Sequence, residues 1–99
     1  MGTQSIKDEL LARSAELRSI LAHASLSMPR LFGSVARGED NANSDIDLLV
    51  DAGSNCTLLD LSQAQDDLED RFGRRFDLVT INSLHPTIRS QAIAEAIAL

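Results

Sequence analysis

Between residues 5 and 24 the apolar positions recur at helical spacing. Ile6, Leu10, Leu17, Leu21 and Ala24 form one stripe, with Leu11 and Ile20 at its edges. Ser5 is placed to cap this helix, and Asp8 falls in its first turn, where a negative charge meets the positive end of the helix dipole. Arg13, Glu16 and Arg18 belong to the wet side. Residues 25–29 read as a connection and 30–32 as the opening of a short strand that Gly33-Ser34 ends. Residues 35–38 read as one helical turn, and 39–43, rich in Asp and Asn, as a polar turn. Residues 45–51 alternate as a strand does: Ile46, Leu48 and Val50 point to one side, Asp45, Asp47 and Asp51 to the other.

After a loop at 52–56, residues 57–72 return to helical spacing. Thr57 is the expected N-cap, Asp60 lies in the first turn, Leu58, Leu61, Leu68 and Phe72 form the expected buried stripe, and Gly73 is the stop. The acidic cluster Asp66, Asp67, Glu69 and Asp70 reads as a solvated face. Residues 75–81 form a third strand, with Phe76, Leu78 and Thr80 on one face and Asp77, Val79 and Ile81 on the other. A last helix opens at Pro86 and is expected to run to about Ala98. Its apolar residues, Ile88, Ile93 and Ile97 among them, spread over about half the circumference. Such a helix either meets a partner protein or lies buried between two layers. His23, near a helix end, and His85, before a proline, read as surface or turn residues.

A strand, a helix and a strand in succession from Asp45 to Ile81 imply a parallel crossover. The expected fold class is therefore α/β (α+β): a small mixed sheet of about three to four strands packed with helices. At 99 residues the chain is expected to make one domain, 1–99, with a single core. A net charge of −6 and the lack of a basic run argue against gripping long DNA or RNA. The acceptor of any chemistry is then small or belongs to another protein. Cys56 is the one cysteine, which excludes an internal disulfide and fits a reducing, cytoplasmic setting. Lys7, Asp8 and Glu9 interrupt any signal-peptide-like run, and no stretch approaches transmembrane length.

The chemistry concentrates in residues 31–51, LFGSVARGEDNANSDIDLLVD. Asp45 and Asp47 lie two residues apart on a strand, hence on one face. Two such carboxylates repel, and both stay ionised only if a cation joins them; hard oxygen ligands favour magnesium. Gly33 lets the backbone approach a ligand closely, and the turn begun by Ser34 offers N–H groups to an anion. If the crossover brings the strands into suitable register, Asp77 joins the pair at one end of the sheet. Asp51 lies roughly 13 Å from Asp47 at ordinary strand rise and is left outside. Arg37 has three readings: a phosphate contact, a clamp on the carboxylate loop, or a surface ion pair. Ser44 is placed for a hydrogen bond behind one of the carboxylates.

The stretch resembles the minimal nucleotidyltransferases of the DNA polymerase β-like superfamily. Their pattern is Gly-Ser, ten residues, then Asp-x-Asp; here Gly33-Ser34 is followed by ten residues and Asp45-Ile46-Asp47. The fuller string GSxARG…SDxDL is met by Gly33, Ser34, Ala36, Arg37, Gly38, Ser44, Asp45, Asp47 and Leu48. The resemblance implies a polymerase β palm-like fold and transfer of a nucleotide from a triphosphate to a hydroxyl. Two magnesium ions would be held by Asp45, Asp47 and Asp77, with Asp77 as base and the β,γ-phosphates on Gly33-Ser34. It further implies a prokaryotic antitoxin that transfers AMP from ATP to a tyrosine of a HEPN-type toxin, in a hetero-oligomer. The chain has no tyrosine, so a tyrosine acceptor lies in another chain. Phe32, Phe72 and Phe76 all read as core, so no stacking platform for a base is evident, and ATP follows from the resemblance alone. Two other functions compete: a non-catalytic module that silences its partner by covering it, and a catalytic subunit that modifies a small molecule.

Overall fold

The computed structural model describes residues 5–39 and 45–99. Helix α1 (Ile6–Ala12) and helix α2 (Ser14–His23) lead into strand β1 (Leu26–Phe32), the short helix α3 (Gly33–Arg37) and strand β2 (Ile46–Ala52). Helix α4 (Leu58–Phe72) crosses to strand β3 (Phe76–Thr80). A turn of 3-10 helix (Ile81–Ser83), helix α5 (Pro86–Glu95) and strand β4 (Ile97–Ala98) complete the chain. The four strands form one sheet in the order β3-β2-β1-β4. β2 and β3 are parallel, and β1 runs antiparallel to both β2 and β4. The expected mixed sheet and its parallel crossover are both present.

The alternation in β2 decides what the two faces of the sheet do. Ile46, Leu48 and Val50 are fully buried and join Leu31, Phe76 and Leu78 from the neighbouring strands. Ile6, Leu10, Leu17, Leu21 and Ala24, the whole stripe of the first helical region, pack on this face with Ala64, Leu68 and Phe72 of α4. Asp47 and Leu49 point to the opposite face. Leu49 is nonetheless fully buried, so that face is partly covered as well.

Several expectations need correction. The helix over residues 5–24 is interrupted at Arg13, whose backbone leaves helical angles (φ −107°, ψ 22°). Helical bonding resumes at once, with the Arg13 carbonyl accepting from Leu17 N at 3.1 Å, and the buried stripe continues across the break. Arg13 is not simply wet: its guanidinium stacks 3.9 Å from the Phe72 ring centre and bonds Glu16 at 3.0 Å. Strand β1 begins at Leu26, not at Arg30. Its register with β2 slips by one residue between Ser27 and Arg30, a bulge in which Met28 takes φ 53°. Pro29, unable to donate, is tolerated there, and its carbonyl accepts from Leu99 N.

Leu58 is not part of the buried stripe of α4. It is 85% exposed, and Leu59 78%, because the first turn of α4 is left uncovered; Ala64 takes the inner position instead. The N-terminus itself forms as expected, with Thr57 and Asp60 bonding each other's backbone in a reciprocal cap. The last helix stops at Glu95 rather than near Ala98. Ala96 turns extended (ψ 153°), and Ile97 pairs with Leu31 as an edge strand. No residue of α5 is fully buried and Ile88 is 57% exposed, so this helix is not sandwiched between two layers.

Candidate active site

β2 places Asp47 between two neighbours. Across the antiparallel pair it faces Phe32, the last residue of β1; across the parallel pair it faces Asp77 of β3. Asp45 stands one residue before β2, exposed, on the same face by parity. The crossover through α4 thus brings Asp77 into direct register with Asp47, on adjacent strands roughly 4.8 Å apart. Among the described residues, no ion pair involves Asp45, Asp47 or Asp77. Arg74, a candidate partner for Asp77, reaches Glu9 instead.

The electrostatic consequence falls on Asp47. Burial pushes its carboxyl above the usual carboxylate range, and the charges of Asp77 and then Asp45 push it further, while Arg37 pulls it back. Arg37 is exposed and donates to Glu39 Oε1 at 2.7 Å, a surface ion pair of little energetic weight. That contact holds its guanidinium above the ordinary range, with smaller contributions from Glu95 and Asp47. Of the three readings of Arg37, the ion pair is the one made by direct contact, and its influence on the carboxylates acts through the field.

Gly33 does more than end a strand. It opens α3 with φ +77°, and a Cβ built there would collide with Asp47 Oδ2. Only a residue without a side chain lets the α3 turn lie against the carboxylate. Ser34 follows, half-buried in the first turn of α3, where backbone N–H groups lack intrahelical partners. Ser44 and the rest of the polar loop, residues 40–44, lie outside the described residues.

Asp45, Asp47 and Asp77 supply the all-oxygen donor set that a hard cation prefers. Among the described residues, no three carboxylate, imidazole or thiol groups are drawn close enough to form a ready cage. Magnesium is ordinarily held by one or two carboxylates, with water and substrate phosphates completing its shell.

Sequence reasoning missed three contributors. Phe32 is not core. Leu31 takes the inward position and is fully buried, while Phe32, by parity, is half-buried on the face of Asp47. Glu69 is not merely solvated: its Oε2 accepts from Phe76 N at 3.0 Å, and Gln65 Oε1 accepts from Leu78 N at 3.3 Å. These two side chains, four apart on α4, bracket Asp77 and satisfy N–H groups that the edge strand would otherwise present to solvent. The i, i+4 spacing was the available signal, but only the crossover shows that it meets a strand. Replacing both by alanine should cost about 1–3 kcal/mol. A lower urea midpoint at unchanged slope would report that cost, and Glu69→Gln, which keeps an acceptor, should lose less.

Residues 15–99 match the polymerase beta nucleotidyltransferase family. A Methanocaldococcus jannaschii relative named as a protein adenylyltransferase, MJ0435, is 38% identical over 79% of this chain and 84% of its own length. Protein adenylyltransferase MntA of Thermococcus cleftensis is 33% identical over 95% of this chain and 92% of its own. The solved structure of a minimal nucleotidyltransferase superposes with a TM-score of 0.86 at 40% identity, covering 99% of this chain and 100% of that one. A toxin–antitoxin structure with AMP-PNP shares the fold at a TM-score of 0.71 and 23% identity, covering 85% of this chain and 69% of that one. Among the described residues, no helix is long and apolar enough to cross a membrane. By its family match, its relatives and its fold, the chain belongs to the polymerase β-type nucleotidyltransferases and is an enzyme of that class, a minimal nucleotidyltransferase.

Proposed function

We propose that this enzyme is the antitoxin of a toxin–antitoxin pair, and that it transfers AMP from ATP to a hydroxyl of a HEPN-type toxin, with tyrosine as the favoured acceptor. The observation that carries the reading is the register of Asp47 with Asp77, with Asp45 on the same face and the Gly33 turn against Asp47. Relatives named as protein adenylyltransferases support the donor and the protein acceptor. The fold neighbour that is a toxin–antitoxin structure with AMP-PNP supports the partner class and the nucleotide. This sequence has no tyrosine, which supports an acceptor tyrosine in another protein.

In this reading Gly33 and Ser34 hold the β,γ-phosphates through backbone N–H groups and the Ser34 hydroxyl. Asp45, Asp47 and Asp77 would hold magnesium, two ions in all, which would neutralise the triphosphate and stabilise the attacking and leaving oxygens. Asp77 takes the proton from the acceptor hydroxyl. The hydroxyl oxygen bonds to the α-phosphorus, the bond from that phosphorus to the β-phosphate bridging oxygen breaks, and pyrophosphate leaves. The products are an AMP ester of the acceptor, pyrophosphate and one proton.

The test is the intact mass of the co-expressed partner after incubation with this protein, ATP and magnesium. A gain of one or more AMP units is expected, abolished by Asp47→Ala and by EDTA. A partner that is silenced in a stable complex without gaining mass would establish the binding module instead. The exposed pair Leu58 and Leu59 at the start of α4 is the feature that favours that second reading.

A further inference from the structure

A cleft of about 370 Å³ opens between β1, α3 and α5 on the carboxylate face of the sheet. Its size falls within the range of roughly 300–1,000 Å³ usual for small-molecule sites. Gly33 lines it and also abuts Asp47, so the cleft borders the carboxylates across that glycine. Phe32 supplies an aromatic wall from β1, and Ile88 and Ala92 face it from α5. Gln91 and Glu95 stand at its polar side, and Gln91 Nε2 donates to Glu95 Oε1 at 3.4 Å across one helical turn.

We infer that this cleft seats the adenine base of the nucleotide, between Phe32 and the α5 side chains, with the Gln91 amide reading the edge of the base. The inference rests on the proposed triphosphate site. It follows from the chemistry of the walls. Phe32, Ile88 and Ala92 give a largely apolar lining suited to a flat aromatic base; Arg37 also lines the cleft, but its guanidinium is engaged by Glu39 at 2.7 Å and Glu95 stands beside it, so the walls offer a phosphate no free positive charge. The bond to Glu95 orients the Gln91 amide, because a flip would turn its oxygen toward a carboxylate. The second Nε2 hydrogen and the Oε1 acceptor remain. That donor and acceptor side by side match the N7 and N6 amino group of adenine, while guanine presents two acceptors at the corresponding edge.

Isothermal titration with magnesium AMP-PNP and, separately, magnesium tripolyphosphate separates the base from the phosphates. Ala92→Leu, which fills the cleft from α5, should weaken AMP-PNP by about tenfold or more and leave tripolyphosphate within about twofold. Ile88→Ala, which removes one wall from a largely exposed position, should weaken AMP-PNP in the same direction without threatening the fold. Gln91→Leu should narrow the preference for AMP-PNP over GMP-PNP. Unchanged AMP-PNP affinity in both cleft variants would overturn the inference, as would equal weakening of both probes. Intact AMP-PNP binding with lost transfer to the partner would also overturn it, assigning the cleft to the acceptor. If the unaltered protein binds neither probe, the triphosphate site itself is wrong; if it binds tripolyphosphate as tightly as AMP-PNP, only the base site is.

Discussion

Asp47→Asn should raise the melting temperature of the ligand-free protein while reducing nucleotidyl transfer by more than about 100-fold. The two effects share one cause. Asp47 lies between a buried strand face and two further carboxylates, so its charge is disfavoured in the fold and its carboxyl titrates above the usual range. A group whose carboxyl is raised on folding destabilises the native state when ionised. The penalty is complete above its folded value and disappears as the pH falls below its unfolded value of about 3.9. The stability gap between Asp47→Asn and the parent should therefore be widest near neutral pH and close as the pH approaches about 4. For a domain of this size, about 1 kcal/mol corresponds to roughly 4–8 °C in melting temperature, so the gap is measurable by thermal scanning. Magnesium should raise the melting temperature of the parent more than that of Asp47→Asn, and EDTA should reverse the gain. The activity figure is a floor: losing a group that merely supports a metal ligand costs about 10–100-fold, and Asp47 is proposed as a ligand itself. A variant that is less stable than the parent at pH 7 would show that Asp47 is held by a favourable partner rather than crowded by like charges.

Gly33→Ala should produce the opposite signature, a modest loss of stability with a large loss of activity. Alanine at φ +77° pays a backbone strain of about 1–2 kcal/mol. It also carries a Cβ into the space of Asp47 Oδ2, so the carboxylate must rotate away. Displacing a reacting group by about 1 Å can cost on the order of 100-fold in rate, and this displacement acts directly on a proposed metal ligand. Gly38 is the control within the same loop–helix unit. Its φ is +72° and a Cβ there would meet nothing within 4 Å. Gly38→Ala therefore carries the same backbone strain without the collision and should lose comparable stability while keeping activity. Steady-state rates and urea midpoints measured on both variants separate the two causes. Equal activity losses at Gly33 and Gly38 would show that backbone strain, not the approach to Asp47, governs the first.

The carboxylate crowding and the glycine contact describe one design. The fold brings negative charge to one end of β2 and β3, leaves it without a contacting cation among the described residues, and sets a side-chain-free turn directly against it. Such a site is destabilising while its carboxylates are ionised, and the proposed cation, if bound there, would link metal binding to stability.

What the sequence determined by itself was local. The stripe Ile6, Leu10, Leu17, Leu21 and Ala24, the alternation in β2, the Thr57 cap and the Gly73 stop depend on residues within a few positions of one another, and all four are found as the pattern predicts. The Gly-Ser…Asp-x-Asp spacing was legible for the same reason, since Asp45 and Asp47 share a face wherever that strand pairs. Tertiary structure decided what lies across strands and beneath helices. Parity along β3 placed Asp77 on a face, but only the parallel register with β2 set it beside Asp47. The turn back from α5 into β4 depends on a free edge of β1, which no local pattern announces. Leu58 kept helical spacing yet stayed exposed, because no described element packs over the first turn of α4. Phe32 and Leu31 are equally apolar, and the pairing of β1 with β2 alone chose which of them would be core and which would face Asp47. Periodicity records which side of an element is apolar; burial, register and contact depend on residues far away in the chain, brought near only when the sheet closes.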